Sequence, residues 1–427
     1  MHHRRESPKL LFTTLLVLGL LPLSTAEAQT RFSGTTMGPI QYRVVIHDPI
    51  PDAAAVEQGI ADRLEQVNAL MSTYIASSDV SRINQAAANQ WVDVHELTLH
   101  VIERALGFRE ATDGAFDITV GPAVNLWSFG PQNPESPHAL PSAKEIESVC
   151  QYVGYQHIQI RRQPPAVSKR HGQTEIDLSA IAKGFAVDRV ASFLVDENIG
   201  DFLVEVGGEV IVRGRKPDGP WKIGVEKPED TRRTVSAVIE LHNQALATSG
   251  DYRNFRIIDG QRYSHTIDPA TCRPVKNRIA SSSVLASDCL TADAMATALM
   301  VMGVDKGLSY CRDHQLAASI ITRSEDGDQL VTAATSDFPE RMEPKPAIVG
   351  NDSASIWPAF IGALVIFSLA VIGMAIGAIL NNRPITGSCG GIAARQNLDG
   401  SSSCSLCQKP VSDCPRRSEV AQEAASD

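Results

Sequence analysis

The segment from Ile356 to Leu380 sets the first limit on what this chain can become, because its 25 residues carry no charge. At about 1.5 Å per helical residue it extends roughly 37 Å, enough to cross a hydrocarbon layer of about 30 Å with some tilt. In lipid such a segment must be helical, since only then are its backbone amides satisfied from within. Trp357 stands at the entry, as an interfacial aromatic does. Gly373 and Gly377 form a small-residue face that could pack on another membrane helix or meet lipid. A span here forces the residues before it and after it to fold apart, on opposite faces of a bilayer.

The N-terminus gives the direction. His2, His3, Arg4 and Arg5 precede an apolar run from Leu10 to Leu23, and Ala26-Glu27-Ala28 offers a small-residue cleavage point. This is the layout of a secretory signal over residues 1–28, with an uncleaved anchor as the alternative. Arg383, Arg395, Lys409, Arg416 and Arg417 follow the span, against Arg341 and Lys345 before it. That bias agrees with the leader: residues 29–323 in the periplasm, 324–355 as a Pro-containing linker, one pass through the inner membrane at 356–380, and a cytoplasmic tail at 381–427. The net charge of −10 argues against nucleic acid as a partner, which would require a basic stripe.

The exported part mixes strands and helices without regular alternation. This points to an α+β fold with mixed sheets and packed helices, not a doubly wound one. Val56, Ile60, Leu64, Val67 and Met71 recur at helical spacing, and a second helix is expected from about Glu96 to Thr112. Phe202, Val204 and Val206 alternate up to Gly207-Gly208, and Val210 and Val212 resume, which is a hairpin pattern. Strands are expected at Trp221–Val225 and Val235–Leu241, and a polar turn at Thr248–Tyr252. Thr174–Leu178 is extended and turns helical near Ser179; such a junction aims free amides at whatever lies above it, which suits phosphate.

The stretch with the most chemistry runs from Tyr263 to Thr297. His265-Thr266-Ile267-Asp268-Pro269 reads as a strand ending in a turn. Thr291 is a candidate cap for a following helix, on which Asp293 and Thr297 share a face. A carboxylate and a hydroxyl so placed can hold a hard cation, although such a pair is more commonly a surface pair.

Five motifs taken together carry a resemblance: Gly34-Thr35-Thr36-Met37-Gly38, Thr112-Asp113-Gly114-Ala115-Phe116-Asp117, Asp177-Leu178-Ser179-Ala180-Ile181-Ala182-Lys183-Gly184, His265-Thr266-Ile267-Asp268-Pro269 and Asp293-Ala294-Met295-Ala296-Thr297. In this order, over about Phe32 to Thr322, the chain resembles the FAD:protein FMN transferases of the ApbE family. The resemblance implies an exported, Mg-dependent enzyme that moves the FMN half of FAD onto a threonine of an acceptor protein and releases AMP. It implies that Met37, Tyr74, Ala115, Phe116, Asp117, Asp177 and Lys183 line the FAD. It also implies that the Ala180 carbonyl, Asp293 and Thr297 hold Mg2+, and that His265 acts at the reacting phosphate. A threonine hydroxyl needs a base, and His265 is the only histidine in the motif set. Competing readings are an FAD pyrophosphatase on the same residues and a non-catalytic assembly protein.

The cysteines fall into two groups. Cys150, Cys272, Cys289 and Cys311 lie in the exported part, where either disulfides or buried thiols are open to them. Cys389, Cys404, Cys407 and Cys414 lie in the tail, and the Cys404-x-x-Cys407 spacing by itself suggests zinc. Arg383-Pro384-Ile385-Thr386-Gly387-Ser388-Cys389-Gly390-Gly391, just after the span, resembles the NqrM assembly factors. That resemblance implies iron handling, with subunits of the Na+-translocating NADH:quinone reductase as partners and flavin acceptors.

Overall fold

The computed structural model describes residues 29–130, 140–229, 234–252, 254–324 and 329–343, with Leu364 and Ser368 alone beyond them. The fold described here belongs to the first of two units, Met1–Pro344 and Lys345–Asp427. The expected leader at 1–28 lies outside the described residues. So do the tail cysteines Cys389, Cys404, Cys407 and Cys414 and, apart from those two positions, the span at 356–380. Among the described residues no helix is long and apolar enough to cross a membrane.

An eight-stranded sheet carries the first unit. Its strands lie side by side in the order in which the chain makes them: Thr30–Thr36, Ile40–Ile46, Phe202–Val206, Glu209–Arg213, Ala245–Gly250, Ile279–Ala286, Ala317–Arg323 and Leu330–Ala334. Neighbours are antiparallel throughout. Successive side chains point to opposite faces. Val44, Ile46, Phe202, Val204 and Ala247 therefore meet one core, and Val45, Leu203, Val210, Leu246 and Leu285 meet another. The first core is covered by helices Ala53–Met71, Ala182–Asp196 and Cys289–Met302; the second by the hairpin of Trp221–Glu226 and Val235–Leu241. Burial on both faces explains the near-continuous apolar runs of the central strands Phe202–Val206 and Glu209–Arg213.

Several local expectations shift. Thr248–Gly250 belongs to a strand rather than a turn, because its hydroxyls find partners: Thr248 Oγ1 lies 2.8 Å from Ser283 Oγ on the neighbouring strand. The helix after Leu178 starts at Ala182, three residues late, since Asp177 first closes a turn by accepting from the Ser179 amide at 2.8 Å. Only Ile267–Asp268 of the His265 motif is strand. Of the stretch 324–355, expected to be a linker, residues 329–343 belong to the fold; 344–355 lie outside the described residues. Leu330–Ala334 adds the last strand of the sheet, Phe338 is buried in the second core, and Met342 exchanges two hydrogen bonds with Val238. The strand is short and apolar, but it lies at the sheet edge with Val331 55% exposed, and the polar residues and prolines around it dominate the reading of the whole stretch.

A third, smaller core gathers Trp127, Ile146, Val153, Tyr263, Ile267 and Cys272. Trp127 stacks on Tyr263 and donates Nε1–H to the Cys272 carbonyl at 2.9 Å. Cys150 and Cys272 form a disulfide across 122 residues, while Cys289 and Cys311 are buried free thiols. This bridge ties helix Ala143–Cys150 to the segment bearing His265, and closing so long a loop restricts the unfolded chain. Replacing Cys150 and Cys272 together by serine is expected to destabilise the unit by about 2–4 kcal/mol. Denaturant unfolding under oxidising and reducing conditions checks this: reduction should shift the wild type and leave the double variant unmoved.

Candidate active site

Two helices build the centre of the site by capping each other. Helix Ala182–Asp196 begins without a side-chain cap of its own. Its Gly184 amide donates instead to Asp293 Oδ2, at 3.0 Å, from the middle of helix Cys289–Met302. In return, Asp188 accepts from the Cys289 and Leu290 amides, both at 2.8 Å, at the start of that second helix. Asp288, not the expected Thr291, is the residue at the cap; it accepts from the Thr291 amide at 2.9 Å. Carboxylates at both helix N-termini satisfy amides that would otherwise lack partners and meet the positive ends of the dipoles. Burial pushes Asp188 up to about 7, against the pull of the two amides.

Gly184 makes this possible. A Cβ there would stand 2.3 Å from the Cys289 carbonyl oxygen and 2.8 Å from Asp293 Cβ. Gly184 is the third residue of its helix, so its amide has no partner within the helix, and Asp293 supplies one.

Asp293 is 2% exposed and Glu209 3% exposed. Lys183 Nζ lies 3.3 Å from Asp293 Oδ1 and 3.0 Å from Glu209 Oε1. Burial disfavours the Lys183 ammonium, but the two carboxylates outweigh it and hold its pKa well above the ordinary value. Burial pushes Glu209 up, against the pull of Lys183. Thr297 Oγ1 lies 3.0 Å from Ser249 Oγ. The Asp293 carboxylate, the Thr297 hydroxyl and the Ala180 carbonyl are hard oxygen donors of the kind Mg2+ takes, so the donor chemistry fits that ion. Among the described residues no group of three His, Cys, Asp or Glu could hold a metal.

His265 occupies a loop against Phe129, with ring centroids 6.3 Å apart. Its Nδ1 lies 2.9 Å from the Asn254 carbonyl. A carbonyl only accepts, so Nδ1 carries the proton and Nε2 keeps its lone pair. Burial lowers the His265 pKa; the Asn254 carbonyl and Asp251 oppose this, and the fields of Lys183 and Asp177 also reach the ring.

The remaining expected residues divide. Tyr74, 76% exposed, and Asp177 come together on a cleft of about 270 Å³ shared with Asn84, Asn125 and Glu175. That is smaller than the roughly 300–1,000 Å³ of sites enclosing drug-sized ligands, so it suits one part of a dinucleotide. The Asp177 amide donates to Ile118 O at 2.8 Å, which joins this segment to the Asp117 loop. Asp117 itself is committed to that loop, accepting from the Thr119 amide, the Thr119 hydroxyl and the Tyr155 amide. Ala115 and Phe116 are buried in the first core, Phe116 edge-on to Phe108. Met37 sits at the tip of the first hairpin with φ +49°, an uncommon conformation for a side chain of its size. Sequence reasoning missed Glu209, Asp188 and Ser249. The one sign of Glu209 was an acid beside Gly207-Gly208 within an apolar hairpin.

A model of the ApbE family matches residues 36–321. This chain belongs to the ApbE family. It is 42% identical over 301 residues to an FAD:protein FMN transferase of Vibrio cholerae, covering 70% of this chain and 89% of that one. A relative of the same name from Haemophilus influenzae is 37% identical over 347 residues, covering 79% and 99%. The solved structure of the Vibrio cholerae flavin transferase ApbE superposes with a TM-score of 0.66 at 40% identity, covering 73% of this chain and 98% of that one. In ApbE terms, the mutually capped helices are the scaffold of the motif residues 177–184 and 293–297.

Gly184→Ala tests the scaffold. Helix propensity alone would favour alanine by about 1 kcal/mol. Contact with main-chain atoms that cannot step aside opposes it by about 1–3 kcal/mol or more. The expected outcome is a lower melting temperature; a rise would mean the helices separate without cost.

Proposed function

We propose that the chain is an FAD:protein FMN transferase that joins FMN to a threonine of an acceptor protein and releases AMP. Membership of a family whose curated relatives bear that name supports the reading. The observation that carries it is His265, whose Nδ1–H is tied to the Asn254 carbonyl while Nε2 keeps its lone pair. In the reaction the threonine oxygen bonds to the flavin-side phosphorus as the pyrophosphate P–O bond breaks, and AMP leaves with the bridging oxygen. His265 Nε2 takes the hydroxyl proton, a contribution of about 10²–10⁴-fold for general bases. Tyr74 and Asp177 hold one part of FAD in their cleft, and Met37 offers the flavin an apolar surface. Ala115, Phe116 and Asp117 shape the wall behind it, and Lys183 adds positive charge.

Mg2+ is the metal this reading implies, with Asp293, Thr297 and the Ala180 carbonyl to hold it. When bound, it supplies charge neutralisation at the pyrophosphate and polarises phosphorus. The chain's own groups fix where that charge can sit: the mutual helix caps hold the Asp293 carboxylate beneath the first turn of helix Ala182–Asp196.

The acceptor in this reading is a subunit of the Na+-translocating NADH:quinone reductase. The span at Ile356–Leu380 keeps the enzyme in the periplasm beside that membrane-bound target and raises its effective concentration. Cys389, Cys404, Cys407 and Cys414 form a cytoplasmic thiolate site for iron or zinc: the Cys-x-x-Cys spacing suits zinc, and the resemblance after the span favours iron.

Incubation with FAD, Mg2+ and reductase subunits should add FMN to a threonine, read by mass spectrometry. Free FMN and AMP without any adduct would replace transfer by hydrolysis. Because the His265 pKa is lowered, the base stays competent below the ordinary 6.5, and the rate should fall only at pH values under it. His265→Ala should remove that acidic limb, slow transfer by about 10²-fold or more, and leave FAD affinity near wild type. An equal loss of affinity would make His265 a binding residue instead.

Thiol reagents applied to intact spheroplasts should miss all four tail cysteines until the membrane is opened. Labelling from outside would reverse the orientation.

A further inference from the structure

The charges around Asp293 do not describe a simple cation site, because a cation of the protein already stands there. Lys183 Nζ lies 3.3 and 3.4 Å from the two Asp293 oxygens, and Gly184 donates to one of them. The same ammonium lies 3.0 Å from Glu209 Oε1. Glu209 is 3% exposed, and its second oxygen, Oε2, is buried without a hydrogen-bond partner. Gly207 lends the room: its Cβ would stand 3.3 Å from that Oε2 and 3.4 Å from Lys183 Cδ, so the lysine stem and the free oxygen border the same gap.

A divalent ion and an ammonium repel each other and would compete for one carboxylate. A metal that takes Asp293 must therefore displace Lys183. The lysine stem is anchored on its helix, so its head can move only a short way. Glu209, already in contact and with an oxygen to spare, is the acceptor within that reach.

We propose that Lys183 is a resident stand-in for the metal, neutralising Asp293 until the cation arrives, and that Glu209 receives the ammonium when it does. This rests on the reading of Asp293 as the metal's carboxylate. Glu209 is then a positioning residue. It does not hold the metal; it removes the metal's competitor. Nothing about the flavin enters the exchange, so it is open to measurement with Mg2+ alone.

The test is a double-variant cycle of Mg2+ affinity on the full chain, by titration calorimetry without FAD, with Mg2+-dependent melting as a second readout. Glu209→Gln keeps the side chain's shape and should weaken Mg2+ binding about tenfold, since Lys183 has only Asp293 left. Lys183→Met should tighten binding about tenfold. In the Lys183→Met background, Glu209→Gln should change affinity by about threefold or less, because no competitor remains to be held. An equal tenfold loss in both backgrounds would make Glu209 a direct ligand or a simple field and overturn the exchange. Weaker binding by Lys183→Met would overturn it as well, even if the Glu209 variant did not fold. Asp293→Asn separates the two levels of argument. If it leaves Mg2+ binding intact, the metal assignment fails; if it abolishes binding and the cycle shows no coupling, only the exchange fails.

Discussion

Two helix N-termini that cap each other hold this site together. Asp293 accepts the Gly184 amide, and Asp188 accepts the amides of Cys289 and Leu290. Each helix supplies the carboxylate that the other lacks, and neither bond forms unless the backbones touch. Gly184 is the point of touching, because any larger residue would press a carbon into the Cys289 carbonyl. The arrangement has a chemical consequence. The Asp293 carboxylate, which would cost free energy to bury unpaired, is satisfied by the Gly184 amide and by Lys183, so it persists almost wholly out of water.

The sheet explains why the site can be so charged without weakening the unit. Its strands follow chain order, and its two faces are sealed by separate cores, one under the helices and one under the Trp221–Leu241 hairpin. Glu209 begins a strand within this framework, directly after the Gly207-Gly208 turn, and points at Lys183 from the sheet side. Ser249 does the same for Thr297 from the strand Ala245–Gly250. Sheet and helices thus each contribute polar groups to one narrow zone, while apolar contacts on either side carry the stability. His265 is held by different means, in a loop supported by the small third core, the Cys150–Cys272 bridge and the Asn254 carbonyl. Because the His265 loop and the mutually capped helices rest on different cores, a perturbation of one need not displace the other.

The amino-acid sequence by itself determined the periodic elements. Val56 to Met71 is the helix its spacing implies, and Phe202–Val212 is the hairpin around Gly207-Gly208. It also carried the ordered motifs that hold Asp177, Lys183, His265, Asp293 and Thr297 and match the ApbE family. Both are local or additive properties: alternation, turn chemistry and motif order need no knowledge of what lies across the fold. Only the tertiary structure decided which of these groups meet. Lys183 faces Glu209 and Asp293 because two strands and two helices converge there. Asp117 serves its own loop because Thr119 and Tyr155 turn amides toward it. The last strand, Leu330–Ala334, joins the sheet although it lies within a stretch whose overall polarity and prolines read as a linker. In each case the deciding term is a long-range pairing between groups distant in the chain, and pairing free energy depends on geometry that composition and spacing do not contain.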